Sequence, residues 1–360
     1  GSSTALMGLS VGVYLGTSAI FQILVGPLSD RIGRRTVSLW ALIIFIVVSI
    51  SCVYAPNTFV FMFLRALQAI AACTFVVARA IVRDTTETQE SGSKIAYISM
   101  GTAICPMFGP ALGGLMDGWF GWEANFWFIG GLGLFILIIA YFDLGETVPE
   151  NTQGFRQQFS EYPELLLSRR FWGYCLASAF GAGAFFAYLG GGPFVGSIVY
   201  NLSPEMLGLY FGAPAIGYFF GNFLSGRFTI RFGIDAMILW GLWIIFAGLS
   251  LSMVCSYLGY GTVETFFGFM IFVGLGNGLT IPNATAGMLS VRPHLAGTAS
   301  GLGGAMMIAI GAALSTLAGA FLVPGSNEMP LLLLMWFSSL SGVAVIIYVR
   351  QRNRRLKISV

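Results

Sequence analysis

Nothing in this chain is charged before Asp30, and after it charge returns mostly in short clusters between long apolar runs. With 56% hydrophobic and 9% charged residues, the chain cannot form an ordinary water-soluble globule. A helix needs about 20 apolar residues to cross a hydrocarbon core roughly 30 Å thick. Runs of that kind lie near 5–26, 36–54, 58–82, 95–116, 124–142, 171–192, 206–226, 236–257, 263–287, 296–322 and 330–349, eleven spans in all. Pro56-Asn57, Gly118 and Pro324-Gly325 are the clearest turns between them. The expected fold class is an all-α polytopic membrane protein.

The basic residues sort onto alternate loops. One set takes Arg31, Arg34, Arg35, Arg83, Lys94, Arg156, Arg169, Arg170, Arg231, Arg292 and the tail Arg350, Arg352, Arg354, Arg355 and Lys357, with Arg227 at its edge. The opposite set takes none, and Arg65 and Arg79 fall inside the third span. Basic residues on short loops stay cytoplasmic, so the C-terminus is expected in the cytoplasm and the N-terminus outside. The net charge of +3 is then a topology signal and not a nucleic-acid footprint. Cys52, Cys73, Cys105, Cys175 and Cys255 lie in apolar spans without metal or redox spacing, and His294 has no Cys or His beside it. No metal and no cofactor are expected. No basic leader precedes the first span and no cleavage site follows it, so that span is read as retained.

The longest polar stretch, 143–170, reads as a cytoplasmic linker. It separates an N-terminal bundle of five spans, 1–142, from a six-helix C-terminal bundle, 171–350, followed by a basic cytoplasmic tail, 351–360. At a constant offset of 200, Gly26, Arg31 and Gly33 match Gly226, Arg231 and Gly233, a weak internal repeat of the kind transporters carry. Gly26 lies in the first span, whereas Gly226 lies in the second of its half. The repeat and the external N-terminus therefore both ask for one helix before Gly1, and a truncated sequence is expected.

Gly26-Pro27-Leu28-Ser29-Asp30-Arg31-Ile32-Gly33-Arg34-Arg35 resembles the loop signature of the major facilitator superfamily. Its glycines permit a tight turn and close helix approach. Asp30 can pair with a base or face a helix N-terminus. The resemblance implies two six-helix bundles, with eleven of twelve helices present here. It also implies a conformational latch of Gly26, Asp30, Arg31, Gly33 and Arg34, relayed to Arg83 and Asp84. In the second half Ile230 and Ile234 occupy the positions of Asp30 and Arg34, so that latch is expected to be degenerate.

Arg65 lies roughly 10 Å into its span, too deep to reach water easily. Gln68 stands one turn on, and Arg65-Ala66-Leu67-Gln68-Ala69 resembles the family's proton-coupling motif, with Ala69 in place of glycine. Arg79, nearer the cytoplasmic end, is expected to snorkel. The run 101–114 resembles the antiporter motif of drug:proton exporters, through Pro106, Gly109, Pro110, Gly113 and Gly114. Further stretches, Gly145-Glu146-Thr147, Gly192-Pro193-Phe194-Val195 and 293–300, are similar to the bicyclomycin and chloramphenicol resistance type of bacterial exporter.

None of the fifteen Asp and Glu lies deep in a span, so Arg65 has no buried counter-charge in the sequence. The resemblance implies an acid in the family's first helix, and the absent helix is expected to hold it. A drug cavity near the midplane is expected to be lined by Tyr14, Gln22, Phe185, Phe186, Tyr188, Asn277 and Asn283. The resemblance implies a monomeric multidrug exporter of the bacterial inner membrane, exchanging lipophilic drugs for protons. An uptake symporter of a small organic solute and a truncated, nontransporting remnant are the alternatives. An enzyme is not expected, because the spans lack paired acids and clustered His or Cys.

Overall fold

A computed structural model of the chain describes residues 4–102, 112, 113, 116, 119–147, 163, 165–323 and 325–355. Its helices are α1 (Thr4–Ile32), α2 (Arg34–Val53), α3 (Thr58–Gln68), α4 (Ala71–Thr85), α5 (Thr88–Thr102), α6 (Glu123–Asp143), α7 (Arg169–Phe194), α8 (Pro204–Phe211), α9 (Ala213–Phe232), α10 (Ile234–Tyr257), α11 (Val263–Leu289), α12 (Ala296–Phe321) and α13 (Met329–Arg355). Each expected span falls on a helix or a helix pair. Among the described residues, eight segments are both long and apolar enough to cross a membrane, with α3 and α4 counted as one. Of the span expected near 95–116, residues 103–111, 114 and 115 lie outside the described residues.

Two spans are interrupted where the sequence reads as continuous. The third breaks at Ala69-Ile70, where Ala69 N–H bonds Ala66 O at 3.2 Å and Ile70 N–H bonds Leu67 O at 3.1 Å. These i→i−3 bonds tighten the chain into a 3₁₀-like turn. The seventh breaks at Gly212, just before Pro214, which lacks the N–H that a continuous helix would use. Polar caps set other starts: the Asn57 side chain accepts from Val60 N–H at 2.9 Å, and Thr262 forms a capping box with Thr265.

The chain forms two compact units. One comprises Gly1–Thr85, Gly109–Leu165 and Arg292–Ala305; the other comprises Thr86–Phe108, Leu166–Val291 and Met306–Val360. In the first, Val25 of α1, Val37 and Ala41 of α2, and Cys73, Val76 and Val77 of α4 make a common core. In the second, α11 is the central helix, packed by α9, α10 and α7.

Lipid tails are as apolar as leucine, so helices in a bilayer associate by close packing more than by hydrophobic exclusion. Glycine makes that packing possible here. Gly217 and Gly221 on α9 face Gly274 and Gly278 on α11, each pair four residues apart. A Cβ at Gly217 would overlap the Ile271 carbonyl, and one at Gly274 the Pro214 carbonyl. Backbone therefore lies on backbone. Gly241 of α10 meets Gly276 of α11 in the same way.

Gly274→Val should destabilise the protein by about 1–3 kcal/mol or more, through overpacking against backbone that cannot move aside. Gly268→Ala on the same helix, where a Cβ would meet nothing within 4 Å, should leave stability unchanged or raise it slightly. Thermal unfolding in detergent reads both; equal melting points for the two variants would contradict this packing.

Candidate functional site

Helix α1 stays helical through Pro27 to Ile32, which keeps Gly26 and Asp30 one turn apart on the same face. A Cβ at Gly26 would overlap the Gly297 carbonyl, so α1 touches the first turn of α12 backbone to backbone. That contact places the Asp30 carboxylate on the end of α12. One oxygen accepts from Gly297 N–H at 3.1 Å; the other accepts from Thr298 N–H and Thr298 Oγ1, both at 3.2 Å. The first N–H groups of a helix lack intrahelical partners and form its positive pole. An anion at 2% exposure satisfies both needs.

Arg34 balances that anion. Its Nη1 lies 2.5 Å from Asp30 Oδ1, its Nε lies 3.0 Å from Asp84 Oδ2, and Nη1 also donates to Ser29 Oγ at 2.6 Å. One buried guanidinium thus bridges two carboxylates from α1 and α4. Arg34 is aimed there by the turn at Gly33, whose φ of +107° favours glycine. Glu146 closes the turn, accepting from Arg34 N–H at 2.8 Å and from Thr147 N–H at 3.0 Å. Arg35 donates to the Tyr141 carbonyl at 2.9 Å. Of the expected latch residues, Gly26, Asp30, Gly33, Arg34 and Asp84 converge here. Arg31 is exposed at the end of α1, and Arg83 adjoins Asp84.

A second cluster forms at the end of α3. Arg65 donates to Gln68 Oε1, and its guanidinium lies 5.2 Å from the Tyr14 ring centroid. Gln68 passes the interaction on, donating to Ser49 Oγ at 2.8 Å. Ser49 is fully buried on α2, and nothing in the sequence singled it out. Among the described residues Arg65 makes no ion pair. Arg79 differs from expectation: it is only 8% exposed, with its guanidinium 4.4 Å from the Phe75 ring centroid. It packs inside the unit instead of extending to solvent.

The remaining lining candidates have neighbours within their own units. Gln22 donates to Ser18 Oγ at 3.2 Å and lies against Gly304. Tyr188, fully buried, stacks on Phe211 at 4.7 Å and donates to its carbonyl at 3.1 Å. Phe185 lies 6.4 Å from the Tyr188 ring, and Phe186 covers Gly311. Asn283 donates to Ser225 Oγ at 2.7 Å and accepts from Thr229 Oγ1 at 2.9 Å. Asn277 is buried against Gly181, its amide without a hydrogen-bond partner among the described residues. Of the antiporter motif, Gly113 accepts from Asn125 Nδ2 at 3.3 Å. Pro106, Gly109, Pro110 and Gly114 lie outside the described residues.

Residues 1–316 match the Major Facilitator Superfamily. The chain belongs to that superfamily. It is 32% identical over 324 residues to the chloramphenicol resistance protein of Pseudomonas aeruginosa, covering 86% of this chain and 75% of that one. It is 28% identical over 332 residues to multidrug resistance protein D of Escherichia coli, covering 90% and 82%. An uncharacterized transporter of Bacillus subtilis is 29% identical over 356 residues, covering 95% and 85%. The fold is similar to that of the human organic anion transporter MFSD10, with a TM-score of 0.72 at 18% identity over 94% of this chain and 83% of that one. This superfamily member is thus a membrane transporter and not an enzyme, with kinship to bacterial multidrug-resistance-type exporters.

The transporter's second unit has polar ties of its own. Ile230 is exposed and Ile234 buried, so neither repeats the charges of Asp30 and Arg34. The next residue, Asp235 of α10, accepts from Tyr174 Oη of α7 at 2.7 Å and from Asn353 Nδ2 of α13 at 3.0 Å. Three helices are joined by one carboxylate, an arrangement the sequence did not announce.

Asp30→Asn keeps the side-chain shape but breaks the buried pair with Arg34, at a cost of about 3–5 kcal/mol. Thr298→Val removes one hydroxyl bond, worth about 1 kcal/mol. Thermal unfolding should rank Asp30→Asn well below Thr298→Val. The double variant Asp30→Asn/Arg34→Gln should lose less than the two single losses combined; strict additivity would deny the coupling.

Proposed function

We propose that the transporter is a secondary active exporter that exchanges lipophilic drugs for protons by alternating access. The observation that carries this reading is Arg65, a cation within an apolar span, held by Tyr14 and Gln68 without a carboxylate partner among the described residues. A charge at such depth is costly to maintain, and such groups mark ion and proton pathways. A fixed cation favours the ionised form of any carboxylate brought near it and opposes a proton arriving there. Arg65 is therefore suited to link proton release with a change in drug affinity. Tyr14 and Gln22 on α1 share its unit and serve as the drug-facing wall beside it.

The names of the relatives support drugs as the substrate class: a chloramphenicol resistance protein, a bicyclomycin resistance protein homolog and a multidrug resistance protein. In this reading Asp30 on the first turn of α12 is the conformational latch, favouring one access state when made and the other when released. Arg34 and Asp84 take up the rearranged charge. The basic loops argue for a multi-pass protein with its C-terminus in the cytoplasm, and the bacterial relatives for the inner membrane; the transporter works there as a monomer. The linker 143–170 then joins the bundles 1–142 and 171–350.

The test uses everted membrane vesicles energised to an acid interior, with a fluorescent base reporting the proton gradient. Adding chloramphenicol or a lipophilic cationic dye should dissipate the gradient as drug enters and protons leave. Arg65→Gln should slow this by more than about tenfold, the rate equivalent of about 1.4 kcal/mol, while Arg350→Gln leaves it intact. Drug and protons moving in the same direction would make the protein a symporter, and no drug-dependent proton flux would defeat the coupling altogether.

A further inference from the structure

A groove of about 630 Å³ runs along α9 and α10, walled by Phe228, Phe232, Trp240 and Trp243 and floored by Met237 and Leu279. No lining side chain is charged. From Met237 to Ala247 the groove follows ten residues of α10, about 15 Å at 1.5 Å per residue. That is half of a hydrocarbon core roughly 30 Å thick, the reach of one leaflet's acyl chain.

Positive charge lies along the α9 edge of the groove. At the Gly233 turn, the Arg231 guanidinium lies 5.3 Å from the centroid of the Phe232 ring, which is itself part of the wall. Arg227 lies one turn earlier on the same stripe of α9, and both arginines are exposed. Neither makes an ion pair among the described residues. The carboxylate nearest in sequence, Asp235, is engaged by Tyr174 and Asn353. Aromatic anchoring at the membrane interface would account for the tryptophans, and topology for the arginines. Neither accounts for an apolar slot one leaflet deep with one unpaired cation at its mouth and a second a turn further along its α9 wall.

We propose that this groove is a binding site for an anionic phospholipid of the leaflet facing the Gly233 turn. One acyl chain lies between the aromatic walls, and the phosphate pairs with Arg231 and Arg227. A zwitterionic lipid fits the same slot but lacks the net charge, so the site selects by headgroup at one end and holds by packing along its length.

The test is native mass spectrometry of the full-length protein released from detergent with phosphatidylglycerol or phosphatidylcholine of identical chains. The protein should retain phosphatidylglycerol preferentially. Each arginine near an anionic headgroup contributes about fivefold, so Arg227→Gln/Arg231→Gln should lower that preference by roughly 25-fold. Arg227→Lys/Arg231→Lys should keep most of it. Ala247→Trp, which fills the inner end of the groove without touching the arginines, should reduce retention of both lipids. Equal retention of the two lipids by the wild-type protein, an unchanged preference in the glutamine variant, or undiminished retention by Ala247→Trp would each overturn the proposal. If the glutamine variant unfolds before wild type in lipid-free detergent, the lysine pair and Ala247→Trp decide the matter alone.

Discussion

The contact between the Asp30 carboxylate and the first turn of α12 is the constraint around which the first unit is organised. A helix end buried away from water leaves N–H groups that need acceptors and a positive pole that needs an anion. Asp30 supplies both, but only if two backbones come closer than side chains allow. Gly26 and Gly297 remove those side chains at the point of contact. The anion must then be neutralised enough to stay buried, which Arg34 does while also binding Asp84. Arg34 is in turn held by the left-handed turn at Gly33 and by Glu146 on its backbone N–H. The motif is thus a chain of dependencies, each residue type required by the one before it.

The second unit solves the same packing problem with less charge. Its central helix, α11, meets α9 and α10 through glycine surfaces that bring backbones together, and neutral hydrogen bonds such as Asn283 to Ser225 and Thr229 fill the interior. Charge enters at helix ends, where Asp235 ties α7, α10 and α13 and the buried Glu328 carboxylate accepts from Ser256 Oγ. Buried neutral networks carry a smaller desolvation penalty than buried ion pairs. With its interior held by neutral hydrogen bonds, the second unit therefore reaches close packing there at lower electrostatic cost.

How much of this was legible follows from the range of each interaction. The spans were legible because apolar length is a local property. Gln68 was legible as a partner of Arg65 because the two are three residues apart on one helix. Asp30 and Asp84 were legible through the motif, although the motif could not say that Gly297 and Thr298 would be the groups Asp30 holds, 267 and 268 residues away. Glu146 was marked only as part of a family stretch, not as the acceptor of Arg34 N–H, and Ser49 and the Tyr174–Asp235–Asn353 group left no sequence signal, because a hydrogen bond between distant helices has no period or spacing to detect. The break after Gln68 was also hidden, since the apolar pattern runs through it. The expected snorkelling of Arg79 failed for a related reason: depth along a helix says how far solvent is, not that Phe75 lies beside the guanidinium.

That hidden break has a consequence for how the two charged clusters of the first unit relate. Helix α4 begins just past the turn that ends the Arg65–Gln68 segment, and it carries Asp84 near its other end. Thirteen residues from Ala71 to Asp84 make a rod of about 20 Å at 1.5 Å per residue. Had the span been one continuous helix, a rotation at Arg65 and a displacement at Asp84 would be the same rigid motion. With a 3₁₀-like turn between them, the Arg65 segment and the Asp84 segment can change orientation separately, and the short turn limits by how much. The Arg65 cluster and the Arg34 to Asp84 pair are therefore joined by a stiff element with one turn in it. On the proposed exchange of drug for protons, such a link is stiff enough to carry a shift from Arg65 towards the distant ion pair and jointed enough to permit two states.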